Sequence, residues 1–504
     1  MMSDPGGSMA TAADHLAVLV THDPATGADT ASYPVADGTA VRAAVDIARD
    51  AGDWWGSIGW KQRRRYLSAL RLTMAREVDT LAGIIRAETG KPLDDAVLEV
   101  MLAVEHLDWA ARNARRVLRP RRVRVGLLAV NQRAILEYAP LGVVGVIGPW
   151  NYPLYTPMGS ISHALAAGNA VVFKPSEYTP GVGRWLAEAW AGLLPARPVL
   201  QVVIGSGETG AALCEAGVDK IAFTGSTATG RRVMATCART LTPVVIEAGG
   251  KDALIVAADA DLDAAAKAAV FGGMGNAGQT CAGVERVLVV DTVFDDFVSR
   301  VSALAARLRP GDGEGAHYGP IVLPGQVKII RSHVEDALGR GARAVVGGVE
   351  SVRPPFVDPV VLVDVPSDSL AVRAETFGPT LVIDRVADVD EAVRRANDSP
   401  FGLAASVFTR DRAYGIEVAR RLRTGAASVN SVLGFASVPA LPFGGVGDSG
   451  FGRVHGADGL REFSRPKAIT STRFASPVDL MTLERSPKAV PTARRLFRLR
   501  HARR

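Results

Sequence analysis

The spacing of hydrophobic and polar residues divides the chain into a helical first part and a longer part in which strands and helices alternate. Apolar residues recur at helical spacing over 41–51, 61–88 and 94–117, which predicts a helix in each stretch. Alternating residues at 123–130 and 133–137 predict the strands of a hairpin. From residue 141, short β-branched runs each end in Gly, Pro, Ser or Thr; they lie at 143–147, 170–173, 199–204, 221–223 and 244–246.

Helical stretches separate most of these runs, and a second such series spans about 253–437. This alternation predicts an α/β fold with doubly wound parallel sheets. Residues 138–173 contain no Asp, Glu, Lys or Arg, but four prolines interrupt them, so we interpret the run as buried strand, loop and helix and not as a membrane span. The residues after Pro477 lose the periodicity and are predicted to be frayed.

Composition places the chain among ordinary globular proteins. It has 504 residues, of which 48% are hydrophobic and 22% charged, which excludes disordered, collagen-like and disulfide-rich classes. Cys214, Cys237 and Cys281 show no CxxC spacing, which argues against a disulfide framework and a cysteine zinc site. The three cysteines fit a reducing compartment, and the N-terminus lacks the pattern of a signal peptide, so we predict a cytoplasmic protein. We also expect no metal site.

The net charge of +6 is concentrated at the C-terminus. Residues 481–504 carry seven Arg and one Lys against one Glu, a net +7, so the rest of the chain sums to −1. A second cluster holds seven Arg between Arg112 and Arg124. Neither cluster interleaves aromatic residues, so no nucleic-acid partner is expected. Leu496, Phe497 and Leu499 stand among tail arginines, which fits weak contact with an anionic membrane, or else a solvated tail.

Glycine-rich turns follow several predicted strands. Gly205–Gly210 is a literal GxGxxG, and Phe223–Gly230 is a second turn of small residues before a helix. Such turns bring a helix N-terminus to a pyrophosphate, although they are also common without a ligand. Lys174 and Glu177 end another strand, where they would hold ribose hydroxyls or form a solvated turn.

Three residues are candidates for catalysis. Cys281 lies among small residues between a glycine-rich loop and a strand, so its thiol is a candidate nucleophile. Glu247 ends an apolar strand beside Gly249 and Gly250, and is either a general base or a satisfied polar cap. Asn151, between two prolines, either holds a turn together or donates to an oxyanion.

Taken together, these segments resemble the aldehyde dehydrogenase superfamily. The resemblance runs from about residue 23 to 470, and seven motifs stand in the family's order: 149–153, 174–177, 223–230, 247–251, 278–281, 375–379 and 442–445. It implies an aldehyde dehydrogenase-like fold with two doubly wound parallel-sheet domains and a small oligomerisation element. The implied reaction is NAD(P)-dependent oxidation of an aldehyde to a carboxylate through a thiohemiacetal and a thioester.

The resemblance also implies roles for individual residues. Cys281 is the implied nucleophile, Glu247 the base for the hydrolytic water, and Asn151 with the Cys281 N–H the oxyanion site. The implied cofactor contacts are Trp150, Lys174, Glu177, Gly225, Ser226, Gly230, Glu375 and Phe377. The resemblance implies NAD as the expected cofactor, with NADP as the alternative, because the Glu177 carboxylate would face a 2′-phosphate.

The chain departs from the family's usual pattern at four positions: Ala248 replaces Leu, Ala374 replaces the first of two Glu, Arg465 replaces a proton-relay Glu, and Ser160 replaces Lys. The last two departures resemble the class 3 or fatty and aromatic aldehyde branch. The open alternatives are succinate-semialdehyde dehydrogenase, a CoA-acylating relative and a silent binding protein. Residues near Tyr155, 106–109 and 438–441 are expected to shape a mostly apolar pocket.

The resemblance finally implies a domain plan and self-association. Residues 1–117 and 141–252, rejoined by about 444–465, form the implied NAD-binding domain, and 253–443 form the catalytic domain. Residues 118–140 and 466–476 form the oligomerisation element of a homodimer or homotetramer, and 477–504 form the basic tail.

Overall fold

The structure is a computed structural model that describes residues 17–476, 478 and 480–502. Residues 1–16, which were assigned to the NAD-binding domain, and residues 477, 479, 503 and 504 of the basic tail lie outside the described residues. The first elements in chain order are β1 (Val18–His22), β2 (Asp29–Pro34), α1 (Gly38–Ser57), α2 (Gly59–Arg76), α3 (Val78–Thr89), α4 (Leu93–Leu118), β3 (Arg121–Val123) and β4 (Gln132–Pro140).

A first alternating series follows: β5 (Val143–Ile147), α5 (Tyr155–Ala167), β6 (Ala170–Lys174), α6 (Gly181–Leu193), β7 (Leu200–Val202), α7 (Gly207–Glu215), β8 (Lys220–Gly225), α8 (Thr227–Ala238) and β9 (Val244–Ala248). The second series is β10 (Asp252–Val256), α9 (Leu262–Met274), β11 (Val284–Val290), α10 (Phe294–Ala305), α11 (Pro324–Gly339), β12 (Arg343–Val346), β13 (Val352–Arg353), β14 (Phe356–Val357), β15 (Val360–Val363), α12 (Leu370–Arg373), β16 (Thr380–Val386), α13 (Val389–Asn397), β17 (Ala404–Phe408), α14 (Arg412–Arg421) and β18 (Ala426–Val429). The chain ends with β19 (Gly450–Phe451), α15 (Gly456–Glu462), β20 (Ser464–Thr472) and α16 (Ala489–His501).

Two largely parallel sheets form the centre of the fold, which confirms the predicted α/β class. One has the strand order β19-β9-β8-β5-β6-β7 and the other β12-β15-β16-β11-β10-β17-β18. Only the edge strands β19 and β12 are antiparallel to their neighbours. Every residue of β5, β6, β10, β11 and β17 is buried, which explains why these strands read as continuous apolar runs. The uncharged run at 138–173 resolves into the end of β4, then β5, α5 and β6, and no helix among the described residues is long and apolar enough to cross a membrane.

A third, antiparallel sheet has the order β20-β4-β3. The prediction of a strand over 123–130 is wrong, because β3 ends at Val123 and a turn of 3₁₀ helix occupies Leu127–Ala129. None of the apolar residues of that stretch is buried, and Leu128 and Val130 are exposed, so no core face selects a strand there. In β20, eight of the nine residues are exposed or only partly buried.

Two helix predictions also need correction. The stretch 61–88 forms two helices, because the backbone of Glu77 leaves helical geometry (φ −100°, ψ 26°) between α2 and α3. The basic tail, predicted to be frayed, contains the 13-residue helix α16. Its Leu496, Phe497 and Leu499 are about half exposed, so the helix combines basic and apolar residues but buries no apolar face. A periodic pattern of buried positions, from which a helix is predicted, is therefore missing.

Candidate active site

The carboxyl ends of four parallel strands bring most of the predicted residues to one edge of the first sheet. In the order β9, β8, β5, β6, these ends carry Glu247, Gly225 with Ser226, Trp150 with Asn151, and Lys174. Ligands of open α/β sheets bind at this edge. The amino ends of β11 and β16 in the second sheet face it with Cys281 and Glu375, so the cleft lies where the two sheets meet.

Cys281 and Glu247 line the same cavity in this cleft, close enough for their charges to interact. Burial, and then the Glu247 charge, raise the pKa of the Cys281 thiol well above its usual range. Burial also raises the pKa of Glu247, although the neighbouring Cys281 and Thr224 side chains partly oppose this. Glu247 Oε1 has no hydrogen-bond partner among the described residues. The pair therefore combines a sulfur nucleophile with a carboxyl oxygen that is free to accept a proton.

Asn151 lies beside the loop that carries Cys281. Its Nδ2 donates to the Gln279 carbonyl at 2.9 Å, and the Asn276 amide donates to the same oxygen at 3.1 Å. The buried Gln279 side chain is itself bonded to the carbonyls of Asn276 and Pro320 and to the Val322 N–H. Asn151 is not among the residues that line the cavity above the thiol. Its amide thus braces the Cys281 loop, and one of its two N–H groups remains for another acceptor.

A buried ion pair fixes the loop that carries Asn151. Lys91 Nζ lies 2.8 Å from Glu99 Oε2, and both side chains are at most 1% exposed. The same ammonium donates to the Asn151 carbonyl at 2.8 Å and lies 4.3 Å from the centre of the Tyr152 ring. Glu99 Oε1 accepts from the backbone N–H groups of Leu154 and Tyr155. The Lys91–Glu99 pair therefore hydrogen-bonds the backbone at both ends of the 151–155 loop. These bonds occupy further donors and acceptors of the two charged groups, as a buried ion pair requires.

Cys281 and Glu247 line a cavity of about 330 Å³ whose walls are mostly apolar. Helix α4 contributes Leu98 and Leu102, α9 contributes Phe271, and the loop 432–437 completes the wall. Phe435 stacks on Phe443 with a centroid distance of 5.4 Å. The side chains of Leu98 and Phe271 are about half exposed.

The sequence predicted part of this wall. Tyr155 lines the cavity as expected, but residues 106–109 and 438–441 do not. His106 instead packs behind the wall against Tyr155 and His455, at centroid distances of 5.3 and 4.0 Å. The residues at 432–437 take the place expected for 438–441 because positive φ angles at Asn430 and Leu433 turn the chain inward just after β18.

The N-terminus of α8 is open toward the cleft. Ser226 is its N-cap and accepts from the Thr229 N–H, and no acidic residue lies in the first turn. A Cβ on Gly230 would lie 3.1 Å from Ile246, so this glycine lets the helix pack closely on β9. Orphan N–H groups at such a terminus favour an anion.

The other predicted cofactor contacts border the same cleft. Lys174 Nζ lies 3.2 Å from Glu177 Oε2 at the end of β6. The rings of Trp150 and Phe377 meet edge to face at 5.6 Å. Glu375 Oε1 accepts from the Gly250 N–H at 3.2 Å, and burial raises the pKa of Glu375 to about 8. The glycine at 249 is needed here, since a Cβ would lie 1.7 Å from this carboxylate.

A second buried pair holds the 375–377 segment in place. Lys251 contacts Glu285, and the Glu285 carboxylate accepts from the backbone N–H groups of Thr376 and Phe377 at 2.9–3.0 Å. The GxGxxG motif borders the end of β6, since a Cβ on Gly210 would lie 3.9 Å from the Lys174 side chain. Thr209 within it donates to the Ala36 carbonyl at 2.8 Å, so the turn packs against the segment before α1.

Sequence reasoning missed the residues that support the site. Lys91, Glu99, Asn276, Gln279 and Glu285 are all at most 8% exposed and polar, and no role was predicted for any of them, although Gln279 lies within the 278–281 motif. Lys91 directly follows the helix-ending Gly90, and a turn lysine is ordinarily solvated, so no local signal marks it as buried. Among the described residues, no group of three or more His, Cys, Asp or Glu side chains is placed to hold a metal ion.

Comparison with known proteins identifies relatives along nearly the whole chain. A family model described as the aldehyde dehydrogenase family matches residues 11–469. The 4,4'-diapolycopene aldehyde oxidase of Methylomonas sp is 38% identical over 447 residues, covering 88% of this chain and 84% of the relative. A putative NADP-dependent succinate-semialdehyde dehydrogenase of Mycolicibacterium smegmatis is 37% identical, covering 89% and 87%. The crystal structure of an aldehyde dehydrogenase from Brucella melitensis biovar abortus 2308 superimposes with a TM-score of 0.87 at 33% identity, covering 91% and 95%.

The Lys91–Glu99 pair can be tested by removing one charge. Glu99→Gln would leave the Lys91 ammonium buried without its counter-ion, so we expect a loss of about 3–5 kcal/mol in the free energy of unfolding. Chemical denaturation measures it. Glu105→Gln, at an exposed position of the same helix, is the matched control and is expected to be neutral. Equal stability of the two variants would contradict the clamping role.

Proposed function

The chain belongs to the aldehyde dehydrogenase family and is an NAD(P)-dependent enzyme that oxidises aldehydes, and we propose that Cys281 is its nucleophile, Glu247 its general base and an apolar aldehyde its substrate. The observation that carries this proposal is that the thiol and the carboxyl group line one apolar cavity and interact electrostatically. The domain plan given above, 1–117 with 141–252 for the cofactor and 253–443 for catalysis, is part of the same proposal.

The residues present fit a dinucleotide. The open N-terminus of α8 supplies N–H groups to a pyrophosphate, and the buried Glu375 carboxyl faces the cleft beside Gly249 and Gly250. Gly225, Ser226 and Gly230 would hold the pyrophosphate, Lys174 and Glu177 the adenosine ribose, and Trp150, Glu375 and Phe377 the nicotinamide and its ribose. When bound, NAD(P)⁺ supplies an acceptor for hydride from the substrate carbon.

Cys281 carries the first half of the reaction. Its thiol releases its proton to solvent, the sulfur bonds to the carbonyl carbon, and the C=O π electrons move to oxygen. The Cys281 backbone N–H and the remaining N–H of Asn151 would stabilise this oxyanion. Loss of hydride from carbon then restores the C=O bond and leaves an acyl thioester on Cys281.

Glu247 carries the second half. Its Oε1 accepts a proton from water, whose oxygen bonds to the acyl carbon. The C–S bond breaks, releasing the carboxylic acid and the Cys281 thiolate. The raised pKa of Glu247 places its affinity for a proton nearer neutrality, where a base that takes and returns protons is most effective.

The charges around the cavity favour an uncharged, apolar aldehyde. Asp95, Glu99 and Glu247 line it, whereas its only lysine, Lys91, is neutralised by Glu99. No arginine stands among the described lining residues, so a substrate carboxylate would meet acids without a free cation. This argues against succinic semialdehyde. The Methylomonas relative is named for an apolar polyene aldehyde, which agrees with the wall chemistry.

Further parts of the proposal concern cofactor and acyl acceptor. The Glu177 carboxylate, paired with Lys174, would repel a 2′-phosphate, which supports NAD over NADP. The presence of Glu247 beside Cys281 supports water, and not CoA, as the acyl acceptor. A catalytically inactive binding protein would need neither the Cys281 thiol nor the Glu247 carboxyl group at this cavity.

Self-association and location complete the proposal. The exposed sheet β20-β4-β3 supports assembly into a homodimer or homotetramer, and the amphipathic composition of α16 supports weak contact with an anionic membrane surface from the cytoplasm.

The proposed roles separate in transient kinetics. Cys281→Ala is expected to abolish turnover, because no thioester can form. Glu247→Gln is expected to retain a pre-steady-state burst of reduced cofactor and to lose steady turnover by at least about 100-fold, because deacylation lacks its base. Stopped-flow absorbance measures both phases. Robust steady turnover by either variant would overturn the assignment.

Substrate polarity is tested with a screen of aldehydes by reduced-nicotinamide absorbance. We expect kcat/KM for an unbranched aliphatic or aromatic aldehyde to exceed that for succinic semialdehyde by at least about 100-fold, equivalent to roughly 3 kcal/mol in transition-state binding. The screen is run with NAD and with NADP, and NAD is expected to be preferred. Comparable kcat/KM for the semialdehyde would contradict the apolar assignment.

A further inference from the structure

A second concave surface, distinct from the catalytic cavity, is strongly basic. We call it the basic groove; it has a volume of about 900 Å³ and is formed by the start of α2 and the end of α4. Six arginines and one lysine line it, and no Asp or Glu stands among its described lining residues. It shares no lining residue with the cavity around Cys281.

The cations of the basic groove are largely without counter-ions. Among the ion pairs of the described residues, only Arg112 of this set has a partner, Asp108, which lies outside the lining. Arg64, Arg115 and Arg116 are exposed and project from neighbouring turns of α2 and α4. So many like charges around one concavity repel each other, and an anion that enters it removes that repulsion.

The N-terminus of α2 opens into the basic groove. Its N-cap is Ile58, which supplies no side-chain hydrogen bond, and no acidic residue lies in the first turn. Ile58, Gly59 and Trp60 all line the groove. The N–H groups of this turn are available to a ligand, while the carbonyl end of α1, which ends at the same Ile58, is partly occupied by Arg63.

A buried arginine adds its charge to the wall of the basic groove. Arg63 lines the basic groove and is only 4% exposed. Its Nη1 donates to the carbonyls of Trp55 and Gly56, but its Nε has no partner among the described residues. Burial lowers the pKa of Arg63 to about 10, so the group is still charged at neutral pH. A buried guanidinium with an unused donor is costly unless an acceptor pairs with it.

We propose that the basic groove binds a ligand that carries phosphate groups. Phosphate matches the planar fork of arginine and also the N–H groups of a helix N-terminus, both of which are present here. The volume admits more than one phosphate group. A nucleic-acid strand fits less well, because Trp60 is the only aromatic residue lining the groove and Arg63 already stacks on it at 4.4 Å.

Trp60 provides the readout for a direct test. The full-length protein is titrated with inorganic pyrophosphate while tryptophan fluorescence is followed, and a saturable change is expected. Arg64→Gln/Arg116→Gln removes two exposed groove charges and is expected to weaken binding by at least about tenfold. Arg494→Gln/Arg498→Gln removes the same charge from α16 and is expected to bind as the parent does. Aldehyde oxidation is expected to be unchanged in both double variants.

A second arm distinguishes a lipid headgroup from a soluble phosphate compound. Co-sedimentation with phosphatidylglycerol vesicles, with phosphatidylcholine vesicles as control, is measured for the parent and both double variants. Binding lost in the groove variant identifies a headgroup; pyrophosphate binding without groove-dependent vesicle binding identifies a soluble ligand. Either result supports the proposal.

Three results would overturn it: neither saturable pyrophosphate binding nor groove-dependent vesicle binding, equal pyrophosphate binding by the groove variant and the parent without groove-dependent vesicle binding, or pyrophosphate binding that is lost in the α16 variant only. If the groove variant instead changes the sedimentation coefficient without any phosphate binding, the groove is a contact between copies of the chain, and the proposal is wrong.

Discussion

The placement of a buried carboxyl group and a partly buried thiol at one apolar cavity is the constraint on which the rest of this site depends. Burial disfavours the charged form of both groups, and the charge of Glu247 further disfavours the thiolate of Cys281. Burial therefore favours the protonated forms of both groups in the resting site. Such a pair is costly to stability, and it becomes useful when an aldehyde carbon accepts the sulfur electrons.

The surrounding polar network holds Cys281 and Glu247 in position. Lys91 and Glu99 satisfy each other and the backbone of the 151–155 loop, while Asn151 and Asn276 converge on the Gln279 carbonyl next to Cys281. Asn276 and Ala277 adopt positive φ angles of 53° and 57° in the same turn, a strained conformation that these hydrogen bonds help to hold. The site is thus fixed by backbone contacts from two sheets, and its apolar walls remain free to suit the substrate.

The sequence predicted the features that local patterns encode. Strand ends followed by small residues located Glu247, Ser226 and Lys174, because parallel strands share one carboxyl edge. Lys91 and Glu99 could not be predicted, since their burial arises only when the start of α4 packs beneath the loop after β5. The loop at 432–437 could not be predicted either, since backbone turns at Asn430 and Leu433 direct it into the cavity. Helix α16 was missed because its apolar residues are half exposed and form no buried face that the sequence pattern would show.

The coupling between Cys281 and Glu247 is tested most directly by the pH dependence of iodoacetamide alkylation at Cys281, read by peptide mass spectrometry in the parent and in Glu247→Gln. The Cys214 and Cys237 peptides serve as internal controls, because both side chains are buried elsewhere. Removing the Glu247 charge is predicted to shift the alkylation midpoint of Cys281 to lower pH, since that charge raises the thiol pKa. A midpoint that stays in place, or moves to higher pH, would contradict this account of the site.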